Sequence, residues 1–222
     1  MLGRSTLITL TFIVLTGADG RATETDCILH PYEASFEVRA MGVNTGTSHE
    51  KVIRTDDRFT VTTKADAHVL FYHRNEFQKS EGTLLQGNIV PEIYSWTIVD
   101  GSQGSLKIPA GQLDTQTLGL RLRADLIRNR LPKTVDVIDP KGETQTASIE
   151  RIAERKKLRT QLGEFEVEIL KTKGLSLIQE LWYDTANHHR LLRTIVHDPA
   201  VGRVEITILT YQELATACIL SK

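Results

Sequence analysis

The chain has 222 residues, of which 40% are apolar and 25% are charged, and its formal net charge is −1. This composition is too apolar for a disordered protein and is typical of a folded, soluble one. The balanced charge provides no general basic surface to neutralise phosphates, so we expect no nucleic acid partner.

The N-terminus has the layout of a secretory signal peptide. Arg4 precedes an uncharged, largely apolar run from Ser5 to Thr16, and small residues follow. The run is too short to span a bilayer comfortably, and the small residues suit a signal peptidase. We therefore predict a signal peptide at residues 1–22 and one mature domain at residues 23–222, exported to the bacterial periplasm. An uncleaved N-terminal anchor is the alternative.

The chain has two cysteines, Cys27 and Cys218, near the two ends of the predicted mature domain. Export makes a disulfide chemically possible, and the termini of a domain often lie close together. A bridge between Cys27 and Cys218 is therefore predicted. Two unpaired thiols are the alternative.

From Tyr32 onward the chain consists of short runs in which apolar and polar residues alternate. The first runs from Tyr32 to Ala40, the next from Thr47 to Arg54, and the third from Arg58 to Ala65. Turn-forming residues separate them, at Gly42–Gly46 and at Asp56–Asp57. Three such strands in succession predict an antiparallel meander, and similar runs continue to the C-terminus.

One segment departs from this pattern. Asp114 is a suitable helix cap, and Leu118, Leu122 and Leu126 recur at helical spacing before Pro132. We predict a single helix from Thr115 to Asn129. The fold class that follows is all-β with one helix, as a curved antiparallel sheet or an incomplete β-barrel.

Five of these segments, in this order, resemble a family of exported bacterial proteins of unknown function, the domain-of-unknown-function family 3108. The segments are "YEASFEVRAMGVNTG", "FQKSEGTLLQGNIVPEIYSW", "IPAGQLDTQTLGLRLR", "LRTQLGEFEVEIL" and "ELWYD" with "LLRTIV". The resemblance covers nearly all of the predicted mature domain. It implies similarity to periplasmic lipoprotein carriers, whose curved antiparallel sheets wrap a hydrophobic cavity around a helix.

The adjacent histidines His188 and His189 are the feature that most resembles a metal or catalytic site. Adjacent residues on a strand point to opposite faces, so they make a poor chelating pair. Turn-forming residues, Asp184 to Asn187, precede them between two strand-like runs. A structural turn is therefore predicted, with no metal and no cofactor.

Other chemical signals are equally weak. The chain has no Gly-x-Ser-x-Gly elbow and no glycine-rich phosphate loop, so we predict no catalytic residue and no enzymatic activity. Glu164, Glu166 and Glu168 alternate along one strand and are expected to form a solvated face. The basic stretch Ala153–Arg159 is expected to be a solvated turn, with contact to anionic lipid headgroups at the membrane surface as the alternative.

Large apolar side chains suggest where a ligand would bind. The candidate lining residues are Leu70, Phe71, Phe77, Trp96 and Trp182. Ordinary sheet core is the alternative role for them. The leading functional hypothesis is binding of an apolar molecule, such as a lipid acyl chain, in cell-envelope maintenance. A scaffold that binds another envelope protein through a sheet edge and an uncharacterised hydrolase are the two other hypotheses.

Overall fold

The computed structural model describes residues 29–69, 72–98, 101–175, 178–198 and 202–214. The predicted signal peptide lies outside these ranges. Cys27 and Cys218 do too, so their disulfide stays a prediction. The candidate ligand residues Leu70 and Phe71 also lie outside the described part.

The described residues form thirteen strands and one α-helix. The strands are β1 (Tyr32–Ala40), β2 (Val43–Thr55), β3 (Arg58–Val69), β4 (Tyr72–Leu85), β5 (Asn88–Ile98), β6 (Gln103–Lys107), β7 (Leu113–Asp114), β8 (Thr134–Ile138), β9 (Thr144–Thr160), β10 (Gly163–Lys173), β11 (Ile178–Asp184), β12 (Leu191–Asp198) and β13 (Gly202–Glu213). The helix, α1, spans Thr117–Ile127. No helix in the described ranges is long and apolar enough to cross a bilayer.

All thirteen strands belong to one sheet, in the order β6-β5-β4-β3-β2-β1-β13-β12-β11-β10-β9-β8-β7. Each neighbouring pair is antiparallel except β7 and β8, which run parallel. The two end strands, β6 and β7, do not pair with each other, so the sheet is not closed. This arrangement confirms the predicted all-β fold, a curved antiparallel sheet that forms an incomplete barrel.

The predicted meander is confirmed as β1, β2 and β3, with one correction at its first turn. The turn is limited to Met41 and Gly42, and β2 already begins at Val43. The predicted turn at Gly42–Gly46 was therefore too long. Gly46 lies inside β2, where a Cβ would lie 2.0 Å from the carbonyl oxygen of Asp66. A glycine is therefore required here because β2 and β3 approach closely, and not because the chain turns.

The basic stretch Ala153–Arg159 was wrongly predicted to be a turn, because it lies within β9. One of its charges has a partner on the neighbouring strand β10, where Glu164 lies 3.1 Å from Lys157. Leu158 points the other way and is buried. Four successive charged residues, Glu154 to Lys157, hide the period of two that would otherwise indicate a strand here.

Helix α1 lies on the concave face of the sheet. The side chain of Gln116 contacts Thr63 of β3 and Gln78 of β4, and the hydroxyl of Tyr183 in β11 donates to the carbonyl of Gly119 over 2.9 Å. The helix therefore touches strands from both halves of the sheet, which must curve around it. We call the face that carries Thr63 and Gln78 the inner face.

The helix is shorter than predicted at both ends. Thr115 and Gln116 form a turn after β7, so the helix starts at Thr117 instead of Thr115. At the other end Asn129 adopts a left-handed φ of 50°. Its N–H donates to Leu126 and that of Arg130 to Asp125, the paired bonds of a Schellman cap.

A small apolar cluster bridges the gap between the two ends of the sheet. Tyr94 of β5, Ile108 and Ile138 of β8 are all buried against one another, and Trp96 packs against them. The cluster brings β5 and β8 together although no hydrogen bond joins the end strands. Side-chain packing therefore connects the two ends of the sheet, which backbone pairing leaves open.

Two glycines, one in α1 and one in β4, provide a test of the fold. A Cβ added at Gly119 in α1 would approach only the Tyr183 hydroxyl, at 3.9 Å, so Gly119→Ala should raise the free energy of unfolding by about 0.5–1 kcal/mol through helix propensity. At Gly82 a Cβ would lie 2.2 Å from the Val90 carbonyl oxygen, so Gly82→Ala should lower the free energy of unfolding by about 1–3 kcal/mol. Urea unfolding measures both values. Equal effects of the two substitutions would contradict the positions of these glycines.

Candidate functional site

A buried aspartate fixes the start of α1. Asp114 is fully buried, and one of its carboxylate oxygens accepts the Ser80 hydroxyl at 2.7 Å. The same oxygen accepts the backbone N–H groups of Gln116 and Thr117 at 2.7 and 3.0 Å. Burial raises the pKa of Asp114, and these hydrogen bonds oppose the rise. The predicted cap is therefore two residues too early: Gln116 is the N-cap, and Asp114 instead holds the turn before it and ties that turn to β4.

Next to it, polar side chains on the inner face bind one another. Gln116 accepts a hydrogen bond from Thr63 and donates one to Gln78. Gln78 also accepts the Tyr94 hydroxyl at 2.9 Å and donates to Glu76. These groups form a polar belt across β3, β4 and β5 at the N-terminal end of α1.

A row of alternating guanidinium groups and aromatic rings lies beside the helix. The guanidinium of Arg123 lies 5.7 Å from the Tyr32 ring, which stacks on Tyr211 at 5.1 Å. Arg190 follows, 4.6 Å from the Tyr211 ring and 5.6 Å from Phe165. We call these five residues the Arg–Tyr stack. It connects α1, β1, β13, the β11–β12 turn and β10.

Glu50 is the carboxylate associated with this stack. The Tyr32 hydroxyl donates to Glu50, which is partly buried on β2. Burial raises the pKa of Glu50, while the hydrogen bond from Tyr32 and the charge of Arg123 oppose that rise. Burial likewise raises the pKa of Tyr32. The hydrogen bond between Tyr32 and Glu50 joins β1 to β2 at the end of the stack.

The two histidines lie in the turn between β11 and β12, as predicted. His188 and His189 have left-handed φ values of 50° and 51°. Asp184 holds the turn by accepting the N–H of Ala186 at 2.9 Å, and Arg123 donates to the His188 carbonyl at 2.9 Å. His189 is half-buried, and burial lowers the pKa of its imidazole. Within the described ranges, no group of three His, Cys, Asp or Glu side chains could hold a metal.

The described candidate ligand residues do not converge on one pocket. Trp96 lies opposite Gln78 and therefore on the inner face, whereas Phe77 lies opposite Thr97 on the other face, with Lys64 6.0 Å from its ring. Trp96 packs into the cluster that bridges the sheet ends. Trp182 lies on β11, with the Arg193 guanidinium 5.5 Å from its ring.

A different set of inner-face residues lies beyond the helix. Helix α1 runs from the polar belt toward the β4–β5 turn, where Arg128 donates to the Gln86 carbonyl at 3.3 Å. Ala65 and Ala67 lie on β3 in the opposite direction, beyond Thr63. Cross-strand pairing places Val38 on the same face as Ala67, through Gly46 between them.

We call this region the aliphatic half of the inner face. Pairing of β1 with β13 and of β13 with β12 extends it across two more strands, β13 and β12. Its members are Val38, Ala40, Ala65, Ala67, Val196, Val204 and Ile206. Val38 and Ala40 are buried, but the other five keep partial exposure. The concave face thus offers accessible aliphatic surface that α1 does not cover, with the buried polar residues Ser48 and Glu76 on either side of Ala65.

Sequence reasoning missed these residues because they are small or half-exposed. It selected the large aromatic side chains, which the structure uses mainly for packing. The signal that was available is the run of alanines, Ala65 and Ala67, at alternating positions of one strand. Small side chains on a concave face leave room inside a curved sheet.

No family model matches the chain, and no curated protein matches it. The resemblance to family 3108 therefore stays a prediction. Among solved structures, a proposed lipoprotein of Parabacteroides distasonis is 10% identical, with a TM-score of 0.38, and the match covers 82% of this chain and 95% of that one. A proposed exported protein of YmcC-like fold from Bacteroides fragilis is 10% identical, with a TM-score of 0.37, covering 83% and 95%.

The Arg–Tyr stack yields a stability prediction. Arg123→Lys keeps the charge but loses the planar guanidinium that packs on Tyr32 and reaches His188, so we expect a loss of about 1–3 kcal/mol in unfolding free energy. Tyr32→Phe keeps the ring and loses only the hydrogen bond to Glu50, so we expect it to lower the unfolding free energy by about 1 kcal/mol. Urea unfolding of the two variants compares them. An Arg123→Lys protein as stable as the wild type would show that the stack does not hold the helix.

The histidine turn yields a second prediction. Asparagine tolerates a left-handed φ, so the double change His188→Asn and His189→Asn should alter stability by less than about 0.5 kcal/mol. Valine is β-branched and fits this φ poorly, so His188→Val with His189→Val should cost about 2–4 kcal/mol. Thermal unfolding gives both values. A stoichiometric metal in the wild type that the asparagine variant lacks would instead assign the histidines a binding role.

Proposed function

We propose that this protein is an exported, non-enzymatic binding protein that holds an apolar chain, such as a lipid acyl chain, against the aliphatic half of its inner face. The observation that carries the proposal is the accessible aliphatic surface on the concave side of the sheet. Ala65, Ala67 and Val204 are all partly exposed there. Apolar surface on a concave face is the usual setting of a small-molecule site.

The energetics of such binding are favourable. Each buried methylene contributes roughly 0.8 kcal/mol, so a chain of about ten methylenes gains roughly 8 kcal/mol before ordering costs are subtracted. Micromolar affinity is therefore within reach of an acyl chain that lies on the aliphatic half of the inner face. The N-terminal sequence, which predicts export, fits a role in the cell envelope.

The non-enzymatic role is proposed because two interior carboxyl groups that could act in proton transfer, Asp114 and Glu50, already form hydrogen bonds within the fold. Asp114 accepts hydrogen bonds from Ser80 and from two backbone N–H groups. Glu50 is bonded to Tyr32. A general acid or base must instead be free to bond a reacting group.

A second candidate function is binding of an extended segment of another envelope protein. Its basis is the edge strand β6, which pairs with β5 on one side and has no strand on the other within the described chain. A shallow groove of about 490 Å³ lies along this edge, lined by Glu92, Ile93, Ser105, Leu106 and Lys107. Exposed strand edges are common sites for adding a peptide strand.

A fluorescent fatty-acid analogue tests the leading proposal. Titration into delipidated protein should give saturable binding that unlabelled fatty acid displaces. Ala67→Lys places a charge in the aliphatic half, so it should weaken binding at least about tenfold, since an apolar chain cannot replace the water that solvates a charge. Fluorescence titration measures both affinities.

Asp66→Lys is the matched control, because Asp66 neighbours Ala67 on β3 but is exposed on the other face. It should bind the analogue like the wild type. Equal losses in the two variants would place the ligand elsewhere. An absence of saturable binding to well-folded wild-type protein would favour the edge-strand function.

A further inference from the structure

The β1–β2 turn combines an unfavourable backbone with exposed apolar side chains. Met41, its first residue, has a left-handed φ of 51°, and its side chain is 62% exposed. Val43, immediately after the turn, is 66% exposed. A polar turn residue would suit this φ at least as well as methionine. The fold alone therefore does not explain a methionine at this position.

Other two-residue turns of the sheet use polar residues at the same position. The β2–β3 turn begins with Asp56 and the β4–β5 turn with Gln86, and both have φ values of 51°. These turns lie at the opposite end of the sheet, where α1 ends and Arg128 bonds to Gln86. Met41 is therefore the exception among three turns of like geometry.

The position of Val43 connects the turn to the interior. Val43 lies directly opposite Ala40 on β1, so the two side chains share the inner face. Ala40 belongs to the aliphatic half and also lies opposite Val204. The aliphatic surface thus continues from the buried Ala40 to the exposed Val43 at the rim of the sheet.

The charges beside the turn are paired. Arg39 lies 2.9 Å from Glu37, and Arg203 lies 3.1 Å from Glu205. The rim therefore presents apolar side chains between neutralised ion pairs. Such a surface favours the apolar boundary of a bilayer over an anionic headgroup layer.

We propose that the β1–β2 turn, through Met41 and Val43, docks on a lipid bilayer and that the ligand passes between the membrane and the aliphatic half at this rim. The inference rests on the proposed function and adds the membrane as partner and the place of exchange. Because the contact is apolar, binding should depend little on anionic lipid or on salt.

The test uses the mature full-length protein and phosphatidylcholine vesicles. Met41→Asn with Val43→Thr removes both apolar side chains, and Asn-Gly is a preferred sequence for this kind of turn, so the fold should be kept. We expect vesicle co-sedimentation to fall at least about tenfold. Transfer of a fluorescent fatty acid from vesicles to the protein should slow to a similar extent, whereas affinity for the same probe in solution should be unchanged.

Leu85→Thr is the matched control, because Leu85 is 63% exposed at the helix-filled end of the sheet. It should bind vesicles and accept the probe like the wild type. Any of three results would overturn the docking proposal. The Leu85 variant could lose vesicle binding equally, the Met41 and Val43 variant could keep it unchanged, or binding could appear only when phosphatidylglycerol is added. Failure of the wild type to bind the probe in solution would instead defeat the proposed function, and vesicle binding by that protein would then be measured separately.

Discussion

The position of helix α1 inside the curved sheet depends on Arg123. Its guanidinium packs on the Tyr32 ring and donates to the His188 carbonyl, so one buried side chain joins the helix to β1 and to the β11–β12 turn. Arg190 continues the row on the far side of Tyr211. Because these strands come from distant parts of the chain, the stack fixes how tightly the sheet curves. A lysine could not replace it, since an ammonium group lacks the planar fork.

The helix is anchored at one end of the interior, so the two ends are lined by different kinds of side chain. The polar belt around Gln78 and Gln116 marks the boundary between them. On one side the leucines of α1 fill the core, and on the other side alanine and valine side chains line the inner face. A sheet of thirteen strands would otherwise have to fill its concave side with large residues. The division between a packed half and an aliphatic half is what makes ligand binding the leading proposal.

The strands were predictable from sequence because alternation is a local signal. Tyr32 to Ala40 shows it fully, and the helix was recognised from its leucine spacing and Asp114. The exact helix start was not predictable, since it depends on Ser80, which lies 34 positions away and bonds the same carboxylate. The basic stretch in β9 was wrongly predicted because its four successive charges show no strand period, and only the pairing of β9 with β10 makes it extended.

The candidate site was less predictable than the fold. Phe77 and Trp96 are both aromatic and close in sequence, but the strand register places them on opposite faces. The Arg–Tyr stack joins residues as far apart in sequence as Tyr32 and Tyr211, so no local sequence pattern predicts it. Large side chains attracted attention in the sequence, whereas the accessible surface consists of small ones. Which small residues share a concave face becomes apparent only when the strand order is known.

Native mass spectrometry of the mature protein, purified from a periplasm without detergent, tests the binding role most directly. We predict a population heavier than the polypeptide by the mass of one amphiphile, lost on delipidation and restored by incubation with fatty acid. The same preparation of Ala67→Lys should lack it. A wild-type protein that carries no such mass, and acquires none when incubated with lipid, would contradict the binding of an apolar chain inside the sheet.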